Sequence, residues 1–252
     1  MLPNLSIVKS TSSSPSLSVI VMAYNEAATL ENVVGEIDQV ARKSVGEHEI
    51  IIVDDGSTDG TEKLADRLMA EMPCVRVLHH ANNQGIGAVL RTGYYAAKKD
   101  LVVVFPADGQ CPASSIKDFV AIMADHDLVL AYIPKRNNPP LAIILSKIER
   151  MLFHVLFGPM PKFQGIYMFR RSLLDRFPLT STGRGWIIQM ELIIRAIKVG
   201  GRITSVPVEN RDRISGKSKV TNFRSVMANA KQVATLYWSL QSERFSSRRN
   251  EG

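Results

Sequence analysis

His48–Thr61 reads HEIIIVDDGSTDGT. Four β-branched residues, Ile50 to Val53, run without a polar break and stop at Asp54 and Asp55. Turn-forming residues follow at once. An unbroken apolar run of this length is what a strand covered on both faces requires. Its abrupt acidic end predicts a loop at the edge of a sheet.

The flanking sequence repeats the pattern. LSVIVMAY (17–24) is a second buried run. After it, Leu30, Val33, Val34, Ile37 and Val40 fall at helical spacing. Residues 59–72 read as another helix, with Asp59 as its N-cap. VRVLHH (75–80) is a third strand, and the glycine-containing loop from Asn82 enters a third helix. LVVVFPADGQ (101–110) is a fourth strand. Alternating strands and helices predict right-handed crossovers and an α/β fold with a mainly parallel sheet. Ligands of such sheets collect at the carboxyl ends of the strands. YNE (24–26), DDGSTDG (54–60) and PADGQ (106–110) all stand there. Any one of them could be an ordinary turn. Three at one edge point to a ligand.

The second half is less regular. Residues 139–163 contain a helix with Ile144, Leu145, Ile148, Met151, Leu152, Val155 and Leu156 on one stripe, widened by Phe153 and Phe157. WIIQMELIIRAIKVGG (186–201) is an apolar helix closed by glycines, and RITSVPVENRDR (202–213) is an edge strand. Residues 221–252 form a basic amphipathic helix and tail. The two amphipathic helices could pack on the core, on a second subunit or on a lipid interface. No internal repeat divides the chain. The expected organisation is a disordered leader (1–16), one catalytic domain (17–220) and the helical C-terminal region.

Composition narrows the partners. A formal charge of +7 over 252 residues favours anionic ligands. Nucleic acid is not expected, because no aromatic-and-basic platform is present and the strand ends are acidic. Cys74 and Cys111 are the only cysteines, which suggests neither a disulfide framework nor a zinc site, and a reducing compartment. The first 16 residues lack the apolar core of a signal peptide, and no run of about 18 apolar residues is present to cross a membrane.

AYNE, IIIVDDGSTDGT, NNQGIGAVLRTG, PADGQ, QME and RISGKSK, in this order, resemble family 2 inverting glycosyltransferases of the GT-A fold. The nearest resemblance is to the dolichyl- or polyprenyl-phosphate sugar synthases, and it runs from about residue 17 to 220. It implies a nucleotide-diphosphate sugar donor, Mg²⁺ or Mn²⁺, and a hexose delivered to a polyprenyl phosphate. Such an enzyme would be cytoplasmic and peripheral on the membrane face, or held there by a membrane-protein partner. The alternatives are a saccharide or other hydroxyl acceptor, or a catalytically weak nucleotide-sugar-binding relative.

Roles follow residue by residue. The resemblance places Tyr24 and Glu26 near the base and ribose, with Asp54 or Asp55 accepting hydrogen bonds from the base. Gly85 and Gly87 would let the backbone approach the donor. Asp108 and Gln110, two residues apart in an extended segment, would bind the metal together with the diphosphate. Arg213, Lys217 and Lys219 would hold the acceptor phosphate or the donor diphosphate. Lys135 and Arg136 stand where the family has a basic residue near the acceptor. Ser146 and Arg150, one helical turn apart, could face one phosphate. Glu191 matches an acidic residue of the family. Among apolar neighbours its pKa would rise, and it would serve as base for a hydroxyl acceptor or orient the basic residues. Asp175 is a weaker acidic candidate. Asp108, Glu191 and Arg213 form the expected catalytic set. The chain departs from the family's pattern at Pro106, where Asp is usual, and at Met22, where Pro is frequent.

Overall fold

The computed structural model describes residues 14–134, 151, 153–211 and 232–242. In chain order its elements begin with β1 (Ser16–Ala23), α1 (Leu30–Ser44), β2 (Glu47–Asp54), α2 (Thr61–Glu71) and β3 (Val75–His79). Then come α3 (Ile86–Ala96), β4 (Leu101–Pro106), α4 (Ser115–Ile122), β5 (Leu128–Tyr132) and β6 (Tyr167–Arg170). α5 (Leu173–Arg176), α6 (Ile187–Lys198) and β7 (Ile203–Pro207) follow. One sheet holds all seven strands in the order β3-β2-β1-β4-β6-β5-β7. The β1–β2, β2–β3, β1–β4 and β5–β7 pairs are parallel. β6 runs antiparallel to both β4 and β5.

Both faces of the central strands are covered, which is why their sequences do not alternate. Val19, Val21, Ile50, Ile52, Val103 and Phe105 point to a layer that includes Leu30, Val34 and Ile37 of α1 and Phe119 of α4. Ile20, Ile51, Val53, Val102 and Val104 point the other way, to Leu90 and Tyr94 of α3 and Leu192 and Ile193 of α6. α3 lies close on β1: a Cβ at Gly93 would come within 2.5 Å of Ile20 Cγ2. The chain winds from β1 through β2 to β3, then returns to place β4 on the other side of β1. That reversal makes the carboxyl ends of β1 and β4 the topological switch point, where α/β sheets bind ligands.

β7 is an edge strand, as expected, and α6 ends at glycines, with Gly200 at φ 72°. One expectation needs correction. Asp59 is not the N-cap of α2, because Gly60 holds that position. The Asp59 carboxylate still accepts from Thr61 N at 3.0 Å and reaches across to Ala27 N at 3.2 Å. The second half also contains two strands, β5 and β6, that its hydropathy does not separate from helices. They are only five and four residues long and draw their order from pairing with β4 and β7.

Residues 232–242 are helical and pack on the core through Val233, Leu236 and Leu240. Phe157, in the helical residues 153–157, meets Tyr237 edge-on. On the outer side Trp238 is 71% exposed. Among the described residues no helix is long and apolar enough to cross a membrane.

Glu49 ties the amino-terminal ends of the central strands together. Its Oε1 accepts from Ser18 Oγ at 2.7 Å and Lys98 N at 2.8 Å, while Oε2 accepts from Arg76 at 2.8 and 3.0 Å. Burial pushes this carboxyl up, but the Ser18, Lys98 and Arg76 donors outweigh it and hold it below the ordinary glutamate range. Glu49→Ala leaves those donors without their acceptor and should cost about 2–3 kcal/mol in urea unfolding, with the native spectrum retained.

Candidate active site

The loop after β1 is stitched to the loop after β2. Asn25 adopts the left-handed region at φ 56°, which asparagine tolerates. There its N–H donates to Ser57 Oγ at 2.9 Å and its Oδ1 accepts from Thr58 N at 2.8 Å. Glu26 N donates to Thr61 Oγ1 at 2.9 Å. These bonds fix Tyr24 and Glu26, both half-buried, beside Asp54–Gly60.

Asp54 and Asp55 are 2% and 3% exposed. Asp54 Oδ1 accepts from both the N–H and the hydroxyl of Ser57, and Oδ2 meets His79 Nδ1 at 3.0 Å. Asp55 Oδ1 meets His80 Nδ1 at 2.7 Å and accepts from Gln84 N at 2.9 Å. Its Oδ2 accepts from Gly85 N at 2.8 Å. A carboxylate offers about four acceptor positions. Each aspartate therefore gives about three of them to the protein itself. His79 and His80, at the end of β3, were not singled out in the sequence. The available signal was their place at the carboxyl end of a parallel strand. Burial pulls the His79 pKa down, but Asp54 and Asp66 outweigh it and raise the pKa above the ordinary value.

β4 delivers the third cluster. Ala107 N donates to Met22 O at 2.9 Å, so the segment 106–110 leaves the sheet directly beside Tyr24. Gly109 takes φ 73°, and Gln110 N turns back to Asp108 Oδ1 at 3.0 Å. The side chains here that could meet a cation are a carboxylate and an amide. Pro106 supplies no donor. Burial, with the nearby Asp108 charge, pushes the Cys111 thiol up to about 12, so it stays protonated. An oxygen-only donor set suits Mg²⁺ or Mn²⁺. Gln110 O accepts from Arg211 N at 2.8 Å. Arg211 thus fixes, against this loop, the backbone that leads into RISGKSK.

A fourth group closes the site from the second half of the chain. Gly85, at φ 91°, and Gly87 pack against residues 183–185. A Cβ at Gly85 would stand 2.6 Å from Arg184 O, and one at Gly87 2.0 Å from Gly183 O. The close approach these glycines permit is therefore to the protein's own backbone. Arg184 returns the contact, donating to Asn83 O at 2.9 Å. The sequence reading did not single out Arg184.

Glu191 holds this loop. It is 0% exposed. Oε1 accepts from Thr180 N, Thr180 Oγ1 and Arg195 Nε at 2.9, 2.9 and 2.8 Å, and Oε2 from Ser181 N at 2.8 Å. Arg91 adds bonds from α3 to the carbonyls of Leu179, at 3.0 Å, and Ser181. The expected rise in the Glu191 pKa is corrected. Burial does push it up, but the Thr180, Ser181 and Arg195 donors outweigh burial and hold it below the ordinary value. Asp175 is exposed on α5 and meets Arg171 at 3.4 Å, apart from these clusters. Lys135, Arg136, Ser146, Arg150, Arg213, Lys217 and Lys219 lie outside the described residues.

Comparisons with known proteins identify the family. The glycosyl transferase family 2 model matches residues 18–180. The chain is 31% identical over 229 residues to the polyprenol monophosphomannose synthase of Mycolicibacterium smegmatis, covering 83% of each protein. It is 25% identical over 239 residues to the dolichol-phosphate mannosyltransferase of Saccharomyces cerevisiae, covering 87% of this chain and 86% of that one. Among solved structures, glucosyl-3-phosphoglycerate synthase from Mycobacterium tuberculosis, crystallised with Mn²⁺, uridine diphosphate and glucosyl-3-phosphoglycerate, matches with TM-score 0.66. That match is 24% identical and covers 89% of this chain and 79% of that one, and it shows a shared fold. The chain belongs to glycosyl transferase family 2 and is a glycosyltransferase.

A carboxylate whose folded pKa is depressed contributes stability above its unfolded value. For Glu191 that contribution is present above about 4.5 and lost as the pH falls through the folded value. Glu191→Gln should cost about 3 kcal/mol at neutral pH, because it leaves Arg195 and two backbone N–H groups poorly paired. It should also flatten the fall in stability between about pH 5 and pH 3. Urea titrations at several pH values measure both.

Proposed function

We propose that this glycosyltransferase moves a hexose from a nucleotide-diphosphate sugar to a polyprenyl phosphate, working peripherally at the cytoplasmic face of a membrane. The observation that carries this reading is the cluster at the β1–β4 switch point. There Asp108 and Gln110 stand beside the 24–26 and 54–60 loops, in a chain whose relatives are named for polyprenol and dolichol phosphates.

Tyr24 and Glu26 would lie along the base and ribose. The remaining acceptor capacity of Asp54 and Asp55 would meet N–H groups of the base. Asp108 and Gln110 would hold Mg²⁺ or Mn²⁺, which when bound neutralises charge developing on the leaving diphosphate. An acceptor phosphate is already anionic near neutral pH. Its oxygen forms the bond to the anomeric carbon as the bond to the donor diphosphate breaks, and the configuration inverts. That attack needs no general base. Glu191, with both oxygens engaged, then acts as a positioning residue that holds the 179–185 loop. Arg213, Lys217 and Lys219 would grip phosphate at the site, approached through the Arg211–Gln110 bond. Lys135, Arg136, Ser146 and Arg150 would complete the acceptor side. Exposed Val155 and Trp238 would meet the lipid interface.

The test incubates the protein with a panel of nucleotide sugars and Mn²⁺ or Mg²⁺, with and without a short polyprenyl phosphate, and follows released nucleoside diphosphate. Release should depend on the lipid phosphate and yield an acid-labile glycosyl phosphate. Asp108→Ala should lower it about 100-fold or more with the thermal midpoint preserved. Release that ignores the lipid phosphate, or an acid-stable product, would transfer the enzyme to a hydroxyl acceptor. Unchanged turnover in Asp108→Ala would remove the metal from that residue.

A further inference from the structure

Asp38, His48 and Cys74 converge at the opposite edge of the sheet from the donor cluster. Asp38 is on α1, His48 is the second residue of β2, and Cys74 immediately precedes β3. His48 and Asp54 stand near the two ends of one strand, six residues apart, so about 20 Å separates the two regions. The His48 Nε2 to Asp38 Oδ1 distance is 2.8 Å, and Cys74 Sγ donates to the same oxygen at 3.3 Å. One ligand atom from each residue lies within 4.8 Å of the other two. Arg42 Nε donates to the other oxygen, Oδ2, at 2.8 Å, which aims Oδ1 at the imidazole and the thiol.

We propose that Asp38, His48 and Cys74 form a binding site for a zinc-class divalent cation, separate from the site at Asp108. One carboxylate, one imidazole and one thiol make up the donor set of a borderline-soft ion, whereas Mg²⁺ and Mn²⁺ prefer oxygen. Ligands 2.0–2.3 Å from a tetrahedral ion stand roughly 3.3–3.8 Å apart. The observed 2.8 and 3.3 Å are somewhat shorter, as expected where a proton bridges each pair. Entry of the cation requires the three groups to part by about half an ångström. The thiol proton is released to solvent, and the proton between His48 Nε2 and Asp38 leaves Nε2, so that the neutral imidazole carries its one proton on Nδ1 and offers Nε2 as ligand. The carboxylate and thiolate then balance the two positive charges, and water takes the fourth position. Arg42 serves as the outer partner that orients the carboxylate. The sequence reading set zinc aside because two cysteines cannot form a cysteine-rich site. This site uses only one, with its other ligands drawn from α1 and β2.

The site would link α1, β2 and the approach to β3, so its cation should stabilise the fold. The experiment titrates the full-length protein with Co²⁺ alone and with Zn²⁺ alone. Wild type and Cys111→Ala should both develop a near-ultraviolet thiolate-to-cobalt band and intense tetrahedral visible bands, which Zn²⁺ abolishes. Cys74→Ala should lack the charge-transfer band. His48→Gln and Asp38→Asn should weaken binding by about 100-fold or more, given that loss of an outer partner alone costs 10–100-fold. Zn²⁺ should raise the thermal midpoint of wild type but not of Cys74→Ala. Absence of the band in wild type, or equal Zn²⁺ affinity in wild type and Cys74→Ala, overturns the proposal. If Cys74→Ala fails to fold, the spectra of wild type and Cys111→Ala decide it.

Discussion

A carboxylate withdrawn from water must be met by hydrogen-bond donors, and this site is assembled around that requirement. Asp55 meets it with the N–H groups of Gln84 and Gly85 and the ring of His80. Glu191 meets it with the N–H groups of Thr180 and Ser181 and the Arg195 guanidinium. Each acid thereby fixes a loop that has no regular structure of its own. The two loops then lock together through Arg184, Asn83 and two glycines that leave room for backbone against backbone. The acidic residues at the heart of the family's motifs thus act first as architecture.

Around this framework the sheet supplies position. Reversal of winding at β1 sets β4 beside it, and the Ala107–Met22 bond carries that pairing past the strand ends. The third cluster therefore emerges next to the first. Pro106 extends the strand without offering a ligand, and the side chains after it that could meet a cation are those of Asp108 and Gln110. One carboxylate can suffice for Mg²⁺, because a diphosphate brings oxygens of its own. The antiparallel β6 separates β4 from β5 and β7, and the backbone after β7 returns to Gln110 through Arg211.

The buried runs of β1, β2 and β4 determined the α/β class and the parallel half of the sheet, because strands covered on both faces have few alternatives. Their acidic ends marked the candidate ligand edge, since topology places the carboxyl ends of parallel strands together. Short β5 and β6 were not readable in this way, as they owe their order to partners distant in sequence. Nor was the state of Glu191. Its apolar neighbours in α6 suggested a raised pKa, yet the donors that reverse the shift include, besides Arg195 on the same helix, Thr180 and Ser181, 11 and 10 residues away on a loop. The convergence of Asp38, His48 and Cys74 from three elements was equally hidden, because no spacing rule joins them. Sequence by itself determined what each segment buries and where each strand ends. Only the tertiary structure decided which donors each buried acid meets, because those partners are set by the packing of distant loops and not by local pattern.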